Sequence, residues 1–100
     1  MNSEEATVFE LLKGVIDPEL MVNIIDLGLI YDVKIIKSKI DIDLTLTSAG
    51  CPMGEMIIED VKQLVESNYP SFEVNVNLVW SPVWTLACLT ENGKTALGQG

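Results

Sequence analysis

A chain of 100 residues, 48% of them hydrophobic, suffices for one domain and is too apolar to stay disordered. Its net charge of −9, from 15 acidic and 6 basic residues with no arginine, lacks the clustered cations that a phosphate backbone requires, so nucleic acid is excluded as the expected partner. Histidine is absent, which removes His-based triads and His-ligated metal centres, and the two cysteines, Cys51 and Cys88, form no CxxC pair.

The opening MNSEEATVFE is acidic and lacks the basic head and apolar stretch of an export signal. No apolar run approaches the roughly 20 residues that span a bilayer. The expectation is one cytoplasmic domain over residues 1–100, with no membrane partner and no structural disulfide. Residues 3–13 read as a helix: Asn2 or Ser3 caps it, Glu4 and Glu5 suit its positive end, and Val8, Leu11, Leu12 and Val15 follow the helical spacing up to a stop at Gly14. Pro18 disfavours helix at Asp17, so residues 17–28 read as an ordered loop with a short turn, leading into a strand over about 29–36.

A turn at Lys37, Ser38 and Lys39 connects this strand to KIDIDLTLT, residues 39–47. There Ile40, Ile42, Leu44 and Leu46 alternate with Asp41, Asp43, Thr45 and Thr47, the pattern of a strand with one buried face. A second helix is expected over about 53–67, with an apolar stripe of Met53, Met56, Ile57, Val61, Leu64 and Val65. Pro52 fits its first position, which would make Cys51 the N-cap. A third strand covers 72–79, WSPVWTLACL forms a loop with room for a helical turn, and Thr90 caps a last helix ending near Leu97 and Gly98. The order αββαβα gives an α+β fold: a small mixed three-stranded sheet, its last strand reached by a right-handed crossover, with helices on one face.

The chemistry of this chain is concentrated around Cys51. The positive end of a helix favours thiolate, which is both nucleophile and metal ligand; a small, inert residue buried in a turn fits the same pattern equally well. Thr47 and Ser48 place hydroxyls just before it, serving a bound group or the local backbone. Asp17-Pro18-Glu19 sets two carboxylates around a rigid residue, a composition that turns also favour. Trp80 and Trp84 flank Ser81-Pro82-Val83, as an apolar wall over the sheet end or a partner surface, and Cys88 follows. Phosphate loops, dinucleotide fingerprints and nucleophile elbows are missing, so conventional hydrolase and dehydrogenase machinery is not expected.

Four ordered segments, DPEL at 17–20, VNIIDLGLIYDV at 22–33, LTLTSAGCPMG at 44–54 and LVWSPVWT at 78–85, together resemble the SufT/PaaD-like metal–sulfur cluster biosynthesis domain, formerly a domain of unknown function. The resemblance runs from about residue 5 to 98. It implies a fold similar to the C-terminal domain of NifU-type scaffolds and a functional site joining Asp17, Glu19 and Leu20 to Thr47, Ser48 and Cys51. The family's reactive cysteine falls on Cys51, implying a metal-ligating thiolate. Near the last motif the family usually reads close to WDPPWTP. Here Ser81 replaces an acidic residue, Val83 and Leu86 replace prolines, and Cys88 stands where methionine is frequent.

The implied role is an accessory factor in iron–sulfur protein maturation, without turnover as an enzyme, carrying iron or an iron–sulfur cluster transiently. Its partners would be an iron–sulfur scaffold or apo client proteins. Clusters commonly take four thiolates, so Cys51 needs a second chain in a homodimer, Cys88, or client cysteines. Three other roles stay open: a metal-free adaptor acting through Trp80 to Trp84, a subunit serving one oxygenase, and a thiol enzyme with Cys51 as nucleophile. The oxygenase subset often carries a cysteine-rich tail, and this sequence reaches Gly100 without one, so general maturation is the expectation.

Overall fold

A computed structural model describes residues 1–47 and 53–98. Helix α1 spans Ser3–Leu11 and passes into a 3-10 turn at Leu12–Gly14. Its start is a capping box: the Asn2 side chain accepts from Glu5 N–H, and the Glu5 carboxylate accepts from Asn2 N–H. Val8, Leu12 and Val15 enter the core as the spacing predicts.

The segment expected to be a loop contains a miniature antiparallel pair, β1 (Ile16–Asp17) with β2 (Val22–Asn23), in the register Ile16 to Asn23 and Asp17 to Val22. The main sheet has the order β3–β4–β5, with β3 (Ile30–Ile36) antiparallel to β4 (Lys39–Leu44) and β4 parallel to β5 (Glu73–Leu78). This is the mixed sheet that the pattern predicts. Ile40, Ile42 and Leu44 are fully buried beneath the helices, while Asp41 and Asp43 lie on the other face. Alternation stops at Leu44 rather than Thr47: Thr45 N–H donates to the Leu29 carbonyl, and Leu44, Thr45 and Leu46 are buried in succession.

Helix α2 spans Gly54–Asn68 and buries Ile57, Val61 and Val65, a single i, i+4, i+8 row. Met56 stands outside that row and is exposed. The N-cap position is Met53, so the expected cap at Cys51 is corrected: helical geometry begins later, and Gly54 supplies the first helical residue. After β5 the chain makes a 3-10 turn at Leu86–Cys88 and ends in α3, Glu91–Ala96, capped by Thr90 as expected through its hydroxyl and Gly93 N–H. The core closes around Ile24, Leu27, Leu29, Val33 and Val74. Among the described residues no helix is long and apolar enough to cross a membrane.

Candidate functional site

Asp17, Glu19 and Leu20 meet in one turn. Asp17 is 2% exposed, and its Oδ1 accepts from Glu19 N–H at 2.8 Å and Leu20 N–H at 3.1 Å. Met21 N–H donates to the Asp17 carbonyl at 2.8 Å, closing the loop between β1 and β2. Asp17 therefore organises the turn, as its composition allowed. That turn displays the Glu19 side chain and the apolar side chains of Leu20 and Met21 outwards.

Thr47 is half-buried at a bend beyond the C-terminal end of β4. Ser48 and Cys51 lie outside the described residues. On either side of them stand a strand and a helix: β4 is the central strand, and Ile57 N–H donates to the Met53 carbonyl at the start of α2. Among the described residues no cluster of three or more His, Cys, Asp or Glu side chains forms a metal cage. A surface groove of ≈ 500 Å³ is lined by Gly14, Val15, Ile16, Asp60, Gln63, Leu64 and Ser67, none of them an expected site residue.

The C-terminal segment divides the expected partner surface into two kinds of residue. The indole N–H of Trp84 donates to the Leu27 carbonyl, and its ring packs on the core, so Trp84 is a structural anchor. Trp80 is 45% exposed and Val83 76% exposed, available as a surface. Cys88 is a half-buried free thiol whose backbone closes on Gly28. It also neighbours the Tyr31 hydroxyl, which donates to the Pro82 carbonyl at 2.8 Å. Burial pushes the Tyr31 phenol up, and the Cys88 thiol adds to that.

Sequence reasoning missed two features here. Asp26 holds this segment in place: it accepts from Asn23 at 2.8 Å through Oδ2 and from the Thr90 hydroxyl at 2.8 Å through Oδ1, while its carbonyl accepts from Thr90 N–H. Its place before Leu27 and Gly28 marks Asp26 in the sequence as a turn cap, but the link to a partner 64 positions away leaves no trace there. Thr45 Oγ1 is buried with no hydrogen-bond partner among the described residues, and strict alternation had placed it on the solvent face.

Comparison with known proteins places these features in context. Residues 5–78 match the family model described as "Iron-sulfur cluster assembly protein"; the Trp80 to Cys88 segment follows the matched part. The chain is 45% identical over 85 residues to the Fe-S protein maturation auxiliary factor SufT of Staphylococcus aureus, covering 84% of this chain and 97% of that protein. It is 40% identical over 88 residues to the auxiliary factor YitW of Bacillus subtilis, covering 87% and 86%. Among solved structures, a crystal structure of a domain of unknown function, DUF59, from Bacillus anthracis superimposes with a TM-score of 0.89 at 43% identity, covering 94% of this chain and 91% of that one.

Proposed function

Because the chain belongs to the iron–sulfur cluster assembly family, we propose that it is an accessory factor in iron–sulfur protein maturation, in which Cys51 is the thiolate that receives iron or a cluster as cargo. The observation that carries this reading is the near full-length likeness to two named maturation auxiliary factors. Its site is Asp17, Glu19, Leu20, Thr47, Ser48 and Cys51, and it acts as a single cytoplasmic domain without enzymatic turnover. One thiolate is too few for a stable cluster, which suits a carrier that releases its cargo to an apo client or receives it from a scaffold. Asp17 serves by shaping the turn that presents Glu19 and Leu20.

A second reading is supported by the exposed apolar side chains of Trp80, Val83 and Leu86 on one short segment: a metal-free adaptor that bridges client and assembly machinery. Activity of an iron–sulfur client in cells carrying variants separates the two. Loss with Cys51→Ser and retention with Trp80→Ala is the expected result. The reverse pattern would replace the carrier by the adaptor. Trp84→Ala does not discriminate, since it removes a structural hydrogen bond.

A further inference from the structure

The two edges of the main sheet differ. The β3 edge is guarded: the Glu5 carboxylate accepts from Ile35 N–H at 2.9 Å, α1 packs alongside, and the pairing is irregular between Ile30 and Asp32. These are devices that prevent an edge from pairing further. Among the described residues the β5 edge has no such side-chain bond and no irregular pairing, while α2 packs against β5 as α1 does against β3. Glu73 N–H donates to the Ser38 carbonyl and Val79 N–H to the Leu44 carbonyl, so odd-numbered residues point their backbone groups towards β4. Val74, Val76 and Leu78 then point theirs away from the sheet, and no strand pairs with them among the described residues. The strand EVNVNL contains no lysine and no proline.

The geometry points to a second copy of this chain as the occupant of this edge, joined through antiparallel β5 to β5 pairing centred on Val76. In that register Val76 faces the second copy's Val76, and Val74 faces the second copy's Leu78, with outward N–H and C=O groups matched at each pair. Side chains directly opposite share a face. Apolar residues therefore meet apolar residues, covering the half-buried Val76 and Leu78, which is 40% exposed. On the other face Asn75 meets the second copy's Asn77. The charge pattern fits self-pairing despite a net charge of −9. Glu73 is the one carboxylate on β5 and has its own cation, Lys39, at 3.9 Å. The two Glu73 side chains stand at opposite ends of the interface.

The arrangement has a consequence for the proposed site. Thr47 follows the C-terminal end of β4, which runs parallel to β5. Antiparallel pairing sends the two copies' C-terminal strand ends in opposite directions, on the order of 20 Å apart for strands of this length. The two Thr47 residues then stand at opposite ends of the paired strands.

Molecular mass as a function of concentration, together with amide hydrogen exchange, tests this assembly without reference to iron. The expected result is a monomer–dimer equilibrium between micromolar and millimolar protein, with Val74, Val76 and Leu78 amides exchanging at least about tenfold more slowly in the dimer. Val76→Pro removes an outward N–H while leaving the β4 ladder intact, a substitution tolerated at an edge; Leu78→Lys sets a charge opposite the second copy's apolar Val74, a device that keeps edges unpaired. Both are expected to stay monomeric with native circular dichroism. A monomer throughout the range overturns the proposal. So does a dimer that persists in both variants, or one whose three outward amides exchange as in the monomer. If Val76→Pro unfolds the chain, the exchange data and Leu78→Lys decide. Loss of dimer with unchanged iron loading per chain would leave the functional reading intact.

Discussion

The indole N–H of Trp84 donates to the Leu27 carbonyl at 2.6 Å, linking the segment after β5 to the loop before β3. Both groups are part-buried, so removing the donor leaves a carbonyl without its partner. Trp84→Phe keeps most of the ring packing and is expected to lower stability by about 1–2 kcal/mol, read from urea unfolding. Trp80→Ala, at an exposed position, is expected to change stability by no more than about 0.5 kcal/mol. Equal losses in the two variants would contradict the division of this segment into anchor and surface.

Asp17 separates a structural from a chemical role. Asp17→Asn retains an oxygen able to accept from Glu19 and Leu20 N–H, whereas Asp17→Ala leaves both donors unpaired. The turn-shaping role predicts near-native stability for Asn and a loss of about 1–3 kcal/mol for Ala, with client maturation following stability in both. Asn that folds normally yet abolishes maturation would assign the carboxylate charge a direct part.

Glu5 gives the fold an acid-sensitive contact. Hydrogen bonds from Asn2 N–H and then Ile35 N–H hold its carboxyl below the ordinary glutamate value. A folded pKa below the unfolded one adds stability above the unfolded value and loses it as pH falls through the folded pKa. Wild type is therefore expected to exceed Glu5→Gln in urea midpoint near neutral pH. That difference should shrink when the measurement is repeated at about pH 3, below the ordinary glutamate range. A difference independent of pH would contradict the assignment.

Gly28 has φ 75°, and a Cβ there would collide with the Cys88 carbonyl. Gly28→Ala combines left-handed strain with that collision, and more than about 2 kcal/mol of destabilisation is expected. Thermal unfolding measures it. Near-native stability would mean that the C-terminal segment moves aside freely, against the close fit of Cys88 on this loop.

Long periodic elements were legible in the sequence. Ile40, Ile42 and Leu44 announce the central strand, and Ile57, Val61 and Val65 announce α2, because each repeats its period several times. The β1–β2 pair was not legible, since strands of two residues have no period to read. The end of β4 was misplaced for a related reason: TLT continues the alternation in sequence, but Thr45 turns to Leu29 and is buried. The start of α2 moved because Pro52 suits a first helical position, while the residue in the cap position is Met53. Asp17, Glu19 and Leu20 were singled out through family resemblance as site residues, and what the structure adds is the turn they form, with two hydrogen bonds to one carboxylate oxygen. The Asp26 to Thr90 link joins residues 64 positions apart and has no local signature.

Iron and sulfide bound per chain after oxygen-free reconstitution, compared among wild type, Cys51→Ser and Cys88→Ser, tests the central claim most directly. Loading is expected in wild type and in Cys88→Ser, with its loss in Cys51→Ser while the fold is retained. Undiminished loading in Cys51→Ser, or no loading in any of the three, would contradict Cys51 as the thiolate that receives the cargo.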